Sequence, residues 1–122
     1  MVSVTISVGS NYGDRYALVE NAVAWLKSIL MQSTNSSIYE TPCALKEGKP
    51  YVNTVIKGFY SGDAFQLEDE LKDKEIEMGR NAERRQKGEV PIDMDIVLLN
   101  GDIVKSWDYK QKFFRIGFSE IS

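Results

Sequence analysis

The chain has 122 residues, a formal net charge of −3, no histidine and one cysteine, with 43% hydrophobic and 27% charged residues. Those figures describe one globular domain, residues 1–122, large enough for a hydrophobic core without staples. They exclude Ser-His-Asp and Cys-His catalysis, imidazole-based zinc sites and an internal disulfide. No apolar run is long enough to span a bilayer, and residues 1–9 lack the basic start of a signal peptide. The acidic balance argues against non-specific nucleic-acid binding. The expectation is a cytoplasmic monomer that meets neither membrane nor nucleic acid.

Val2, Val4, Ile6 and Val8 alternate with Ser3, Thr5 and Ser7, the period of a half-buried strand. Gly9-Ser10-Asn11 ends it as a turn, and Tyr12-Gly13-Asp14 leads into a helix over 14–31 with Asp14 as N-cap. Ala17, Leu18, Ala22, Trp25, Leu26, Ile29 and Leu30 form its apolar stripe, so Trp25 reads as core. Residues 33–37 are polar, Ile38-Tyr39 reads as a short strand end, and Pro42 makes 40–50 an irregular surface loop.

Residues 51–60 are rich in β-branched and aromatic side chains and predict a second long strand. Asp63 with Gln66 three positions on predicts a capping box, opening a helix that ends near Gly79. Residues 81–90 are polar without periodicity and read as a mobile loop. Residues 92–99 predict a strand, and Asn100-Gly101 a hairpin turn from which Ile103-Val104 pairs back. Residues 113–121 fit either an edge strand or a short terminal turn. The resulting fold class is α+β, a ferredoxin-like β-α-β-β-α-β sheet with two main helices.

Asp93 and Asp95, two apart on a strand, project from one face while Ile92, Met94 and Ile96 project from the other. Two anions that close repel unless a cation lies between them, and Mg²⁺ suits that role beside a phosphate. The other reading is an amphipathic strand carrying two solvated acids. Arg80, Arg84, Arg85 and Lys87 precede the dyad and would suit a polyphosphate, or pair with Glu83 and Glu89 as a solvated loop. Tyr51 and Asn53 share a strand face, either as an aromatic platform with an amide that reads a heterocycle edge or as ordinary packing. Cys43 has no neighbouring base or second thiol and reads as inert.

The order of these features carries more than any one of them. A strand ending in Gly-Ser-Asn, then Tyr39-x-Thr41-Pro42, Tyr51-x-Asn53, Glu75-x-x-x-Gly79-Arg80 and Asp93-Met94-Asp95-Ile96 resembles the 6-hydroxymethyl-7,8-dihydropterin pyrophosphokinase family of folate biosynthesis. The resemblance covers residues 1–100 and is weak beyond them.

The resemblance implies a transferase that moves the β,γ-diphosphate of ATP onto the pterin hydroxymethyl group and releases AMP. It implies two Mg²⁺ ions on Asp93 and Asp95, with Arg80 beside them as a further catalytic group. Thr41, Pro42, Tyr51, Asn53 and Phe113 would bind the pterin, and Glu75, Arg80, Arg84 and Ile96 the nucleotide. The loop over 81–90 would close on the reactants. Val90 stands where the family carries a phosphate-contacting Arg, Lys87 where a Trp is common, and Ala82 where a second loop Arg is common. The family's later Pro-His segment is missing, so the domain reads as truncated at its C-terminus. Arg84, Arg85, Lys110 and Lys112 are the candidate replacements for the lost charge. An alternative is a catalytically impaired pterin- or nucleotide-binding or interaction module of the same fold.

Overall fold

The computed structural model describes residues 1–43 and 49–122. Strand β1 (Val2–Ser10) lies at the centre of an antiparallel sheet, between β4 (Tyr51–Tyr60) and β5 (Asp93–Leu99). Strand β2 (Leu30–Asn35) pairs with β4 on one side, and β6 (Asp102–Ile103) extends the other beyond β5. The path β2-β4-β1-β5-β6, with β3 (Tyr39–Thr41) also on β4, gives the ferredoxin-like α+β arrangement.

Alternation sorts each strand's residues between two faces. Val4, Ile6 and Val8 of β1, Val52 and Ile56 of β4, and Met94 and Ile96 of β5 form one buried cluster. Helices α1 (Arg15–Ile29) and α2 (Ala64–Glu77) cover it with Val19, Ala22, Leu26, Leu67 and Leu71. Asp14 caps α1 by accepting from the Ala17 N–H at 3.2 Å, and the capping box at Asp63 and Gln66 opens α2. Trp25 is half-buried against the core, with the Lys74 ammonium 5.6 Å above its ring.

The opposite sheet face carries a smaller cluster of Val55, Val97 and Phe114. It is sealed by α4 (Ser106–Lys110) and α5 (Lys112–Ile121), where Phe114 stacks on Phe118 at 5.1 Å. Tyr39 fastens α5 to β3: its hydroxyl donates to Phe113 O at 2.5 Å and accepts from Gly117 N at 3.0 Å.

Four local expectations change. The first helix stops at Ile29, and Leu30 turns extended to begin β2 instead of continuing to residue 31. Residues 113–121 are neither edge strand nor turn but most of α5, because Phe114, Gly117, Phe118 and Ile121 repeat at helical spacing and meet Val55 and Val97. The polar stretch over 81–90 holds a short helix, α3 (Ala82–Gln86), capped by Asn81 on Arg84 N at 2.8 Å. Glu40 and Thr41, placed in a loop by their neighbourhood to Pro42, pair in β3; residues 44–48 of that loop lie outside the described residues. The hairpin forms as expected, with positive φ at Asn100 (51°) and Gly101 (85°) as its tight turn requires.

Candidate functional site

Cross-strand register assembles the site on the α4–α5 face. Gly9 sits opposite Asn53 on one side and Asp93 on the other, while Ser7 sits opposite Val55 and Asp95. Six residues from three strands thus form a floor two cross-strand rows deep. Gly9, expected in a strand-ending turn, lies inside β1. A Cβ there would come within 3.2 Å of Asn53 Oδ1 and 3.3 Å of Tyr51 Cδ2, so the missing side chain is what keeps this floor open.

Above the floor is a cavity of about 180 Å³. Thr41, Pro42, Tyr51 and Asn53 form one wall, Trp107, Asp108 and Phe113 another, and Asp93 one end. Five positions grouped by resemblance therefore share one space. Trp107 and Phe113 lie with ring centroids 6.0 Å apart. Asn53 is buried, and its Nδ2 donates to Thr41 Oγ1 at 2.8 Å, which directs Oδ1 toward the Gly9 side. Burial, then the nearby Asp93 charge, pushes the Tyr51 hydroxyl up to about 12, so it stays a neutral donor.

A second, more open cavity of about 460 Å³ lies on the other side of Asp93. Lys72, Glu75 and Ile76 of α2 line it with Arg80, Arg85 and both Asp93 and Asp95. Asp93 is common to the two spaces. Arg84 and Ile96 border neither: Arg84 donates to Gly79 O at 2.5 Å and stacks 5.1 Å over the Tyr12 ring, and Ile96 is buried in the main core.

The dyad is charge-compensated side chain by side chain. Arg80 Nη1 lies 3.0 Å from Asp93 Oδ1 and 3.0 Å from Glu75 Oε1. Glu75 is buried and accepts from Met94 N at 2.8 Å, so it fixes Arg80 to the strand that bears the acids. Burial raises the Glu75 pKa, while that amide and Arg80 oppose the rise. Lys105 Nζ lies 2.8 Å from Asp95 Oδ1. Burial first, then the charge of Asp95 and a hydrogen bond to it, push Asp93 up to about 7. Water still reaches 39% of the Asp93 side chain and screens part of that repulsion.

This donor set fits a hard divalent cation. Two mutually repelling, half-exposed carboxylates on one strand face offer oxygen ligands and leave most of a coordination sphere for water and phosphate. Among the described residues no group of three or more His, Cys, Asp or Glu side chains forms a protein cage. Lys105, Trp107 and Asp108 were missed by sequence reasoning, since only the β5–β6 hairpin brings them back over the sheet. The family model of 7,8-dihydro-6-hydroxymethylpterin-pyrophosphokinase matches residues 5–122.

The chain belongs to this pyrophosphokinase family. The match runs through α4 and α5, beyond the part in which the resemblance is plain. A 2-amino-4-hydroxy-6-hydroxymethyldihydropteridine pyrophosphokinase of Bacillus subtilis is 33% identical over 104 residues, covering 83% of this chain and 62% of that protein. The protein of the same name from Aquifex aeolicus is 30% identical over 107 residues, covering 87% of this chain and 66% of its own length. A folate synthesis bifunctional protein of Chlamydia trachomatis is 37% identical over 106 residues, 81% of this chain and 23% of that protein. The chain spans less than two thirds of the length of each of these pyrophosphokinase-family relatives. No helix among the described residues is long and apolar enough to cross a membrane.

Proposed function

We propose that this chain transfers diphosphate from ATP to 6-hydroxymethyl-7,8-dihydropterin, with two Mg²⁺ ions held by Asp93 and Asp95. The observation that carries the reading is the position of Asp93 between an aromatic, amide-lined cavity and an open cleft bearing Arg80, Arg85 and Lys72. A flat heterocycle and a polyphosphate would meet at the dyad.

In the transfer, the hydroxymethyl oxygen bonds to the β-phosphorus as the bond from that phosphorus to the α,β-bridging oxygen breaks. The bridging oxygen leaves on AMP, and the hydroxyl proton passes to solvent. Bound Mg²⁺ would supply charge neutralisation along the triphosphate and orientation for in-line attack. Tyr51 and Phe113 hold the ring between them, and Asn53 Oδ1 accepts from its N–H edge while Thr41 keeps the amide oriented. Arg80, anchored by Glu75, keeps further N–H donors for the phosphates.

Incubation with ATP, Mg²⁺ and the pterin should yield AMP, and Asp95→Asn should abolish that yield with the fold intact. ADP as the product would overturn diphosphate transfer. A second reading, a pterin-binding module without turnover, draws on Val90 in place of the family's Arg; saturable pterin binding with no AMP would carry it.

A further inference from the structure

The two cations at the dyad are held very differently, and that difference has a functional reading. Arg80 is locked. Its Nη1 reaches Asp93 Oδ1 and Glu75 Oε1 at 3.0 Å each, and Glu75 is itself buried and tied to the Met94 amide. Lys105 makes one side-chain bond, to Asp95 Oδ1 at 2.8 Å, and 41% of its side chain is exposed. Its four-carbon stem leaves from the turn into α4, where the backbone alone is fastened, by Val104 N to Val97 O at 2.9 Å. Among the described residues, the other charges facing it, Asp108 and Glu68, are acidic like Asp95.

We propose that Lys105 is a displaceable counter-ion: it occupies the cation position against Asp95 in the metal-free protein, and when a divalent ion takes that position it turns onto the phosphate chain of the nucleotide. This rests on the proposed reading of the dyad as the metal site. A divalent ion at Asp95 repels the Lys105 ammonium across a few ångströms, and Arg80 cannot move because Glu75 holds it. The phosphates arriving with the metal are then the nearest uncompensated negative charge. The lysine would thus provide the positive charge that Val90 does not, a role that the spacing of Arg84, Arg85, Lys110 and Lys112 only suggested for those residues.

The test compares Lys105→Met, Lys105→Arg and the parent chain in two measurements. Mn²⁺ binding, read by electron paramagnetic resonance without nucleotide, needs no turnover. Removing a partly exposed competitor should tighten it roughly 2- to 5-fold in Lys105→Met, with Lys105→Arg near the parent. AMP release should fall roughly 10- to 100-fold in kcat for Lys105→Met, with pterin KM unchanged, and recover in part with Arg. A merely structural lysine would weaken both readouts together. Unchanged or weaker Mn²⁺ binding in Lys105→Met overturns the counter-ion role, and unchanged kcat overturns the phosphate role. If the parent releases no AMP, the proposed activity fails and the phosphate role with it, while the Mn²⁺ result still decides the counter-ion role.

Discussion

Gly117 is where the cavity's outer wall meets the sheet most tightly. A Cβ at this position would lie 2.7 Å from Tyr39 Oη, 2.7 Å from Val55 Cγ2 and 2.8 Å from Ser36 Oγ. None of the three can retreat cheaply. Tyr39 Oη is bonded on both sides, to Phe113 O and Gly117 N; Ser36 Oγ is engaged with Ser37 O, Thr54 Oγ1 and Val55 N; Val55 is fully buried. Gly117→Ala gains about 1 kcal/mol of helix propensity. Against it stand overpacking, typically about 1–3 kcal/mol, and strain on the two Tyr39 hydrogen bonds, about 1 kcal/mol each. The balance is a net loss of about 3 kcal/mol, or roughly 9–15 °C in Tm for a chain of this length. Because Tyr39 Oη holds the Phe113 carbonyl, the same shift moves an aromatic wall of the cavity and should weaken the proposed pterin binding. Thermal unfolding with a parallel fluorescence titration reads both effects. An alanine variant as stable as the parent, or more stable, would show that propensity wins and that α5 does not press on the sheet as described.

Asn11→Ala removes an amide that donates to Gly88 O at 2.9 Å and accepts from Val90 N at 2.6 Å. It leaves a part-buried amide unpaired and should cost about 1–3 kcal/mol, with faster proteolytic nicking in residues 80–90 as the check. Gly9→Ala needs shifts of only a few tenths of an ångström, so Tm should hold while the added methyl blocks Asn53 Oδ1. On the proposed reading pterin affinity should then fall about tenfold by calorimetry, and unchanged affinity would remove Asn53 Oδ1 from the recognition. Glu120, whose carboxylate accepts from Ser37 N and Oγ, has its pKa lowered by those two bonds. Its contribution is therefore present above the ordinary carboxylate range and lost as pH falls. Glu120→Gln should lower Tm at pH 7 but not at pH 3, and an equal deficit at both would refute the ionic origin.

The dyad was legible because strict alternation around Met94 fixes which side chains share a face, and that arithmetic survives any tertiary detail. The start of β2 was not. Leu26, Ile29 and Leu30 keep helical spacing through the point where the chain turns extended, so periodicity carries no mark of the boundary; pairing with Tyr60 decides it. Helix α5 has the right apolar spacing but is short and holds a glycine, a breaker by propensity that is retained because Tyr39 and Val55 come so close. Lys105 was hidden for a different reason. It lies ten residues from Asp95, and only the Asn100-Gly101 turn with the Val104 and Lys105 amides on Val97 O folds it back over the strand. Spacing reveals partners within one element. Partners across a turn depend on register.

The same distinction bears on how the loop over 81–90 can move. Its far end is fixed by Asn11, whose backbone N–H also donates to Val90 O at 3.0 Å, so residues 88–90 belong mechanically to β1. Its near end is fixed by Arg80 on Glu75 and Asp93. Between them α3 buries none of its residues, and among the described residues Arg84, bonded to Gly79 O and lying over Tyr12, is what holds it to the body. If the loop closes over the cleft as the family resemblance implies, the anchors confine that motion to a tilt of α3 between Asn81 and Gly88, whose φ of +72° already lies in the glycine-favoured region. In the proposed reaction such a tilt would carry Arg85, on the cleft wall, toward the phosphates while Val90 stays clamped to Asn11. On the proposed reading, cationic contacts from this loop would come from α3, and the dyad would draw its mobile positive charge from the other side, where Lys105 stands.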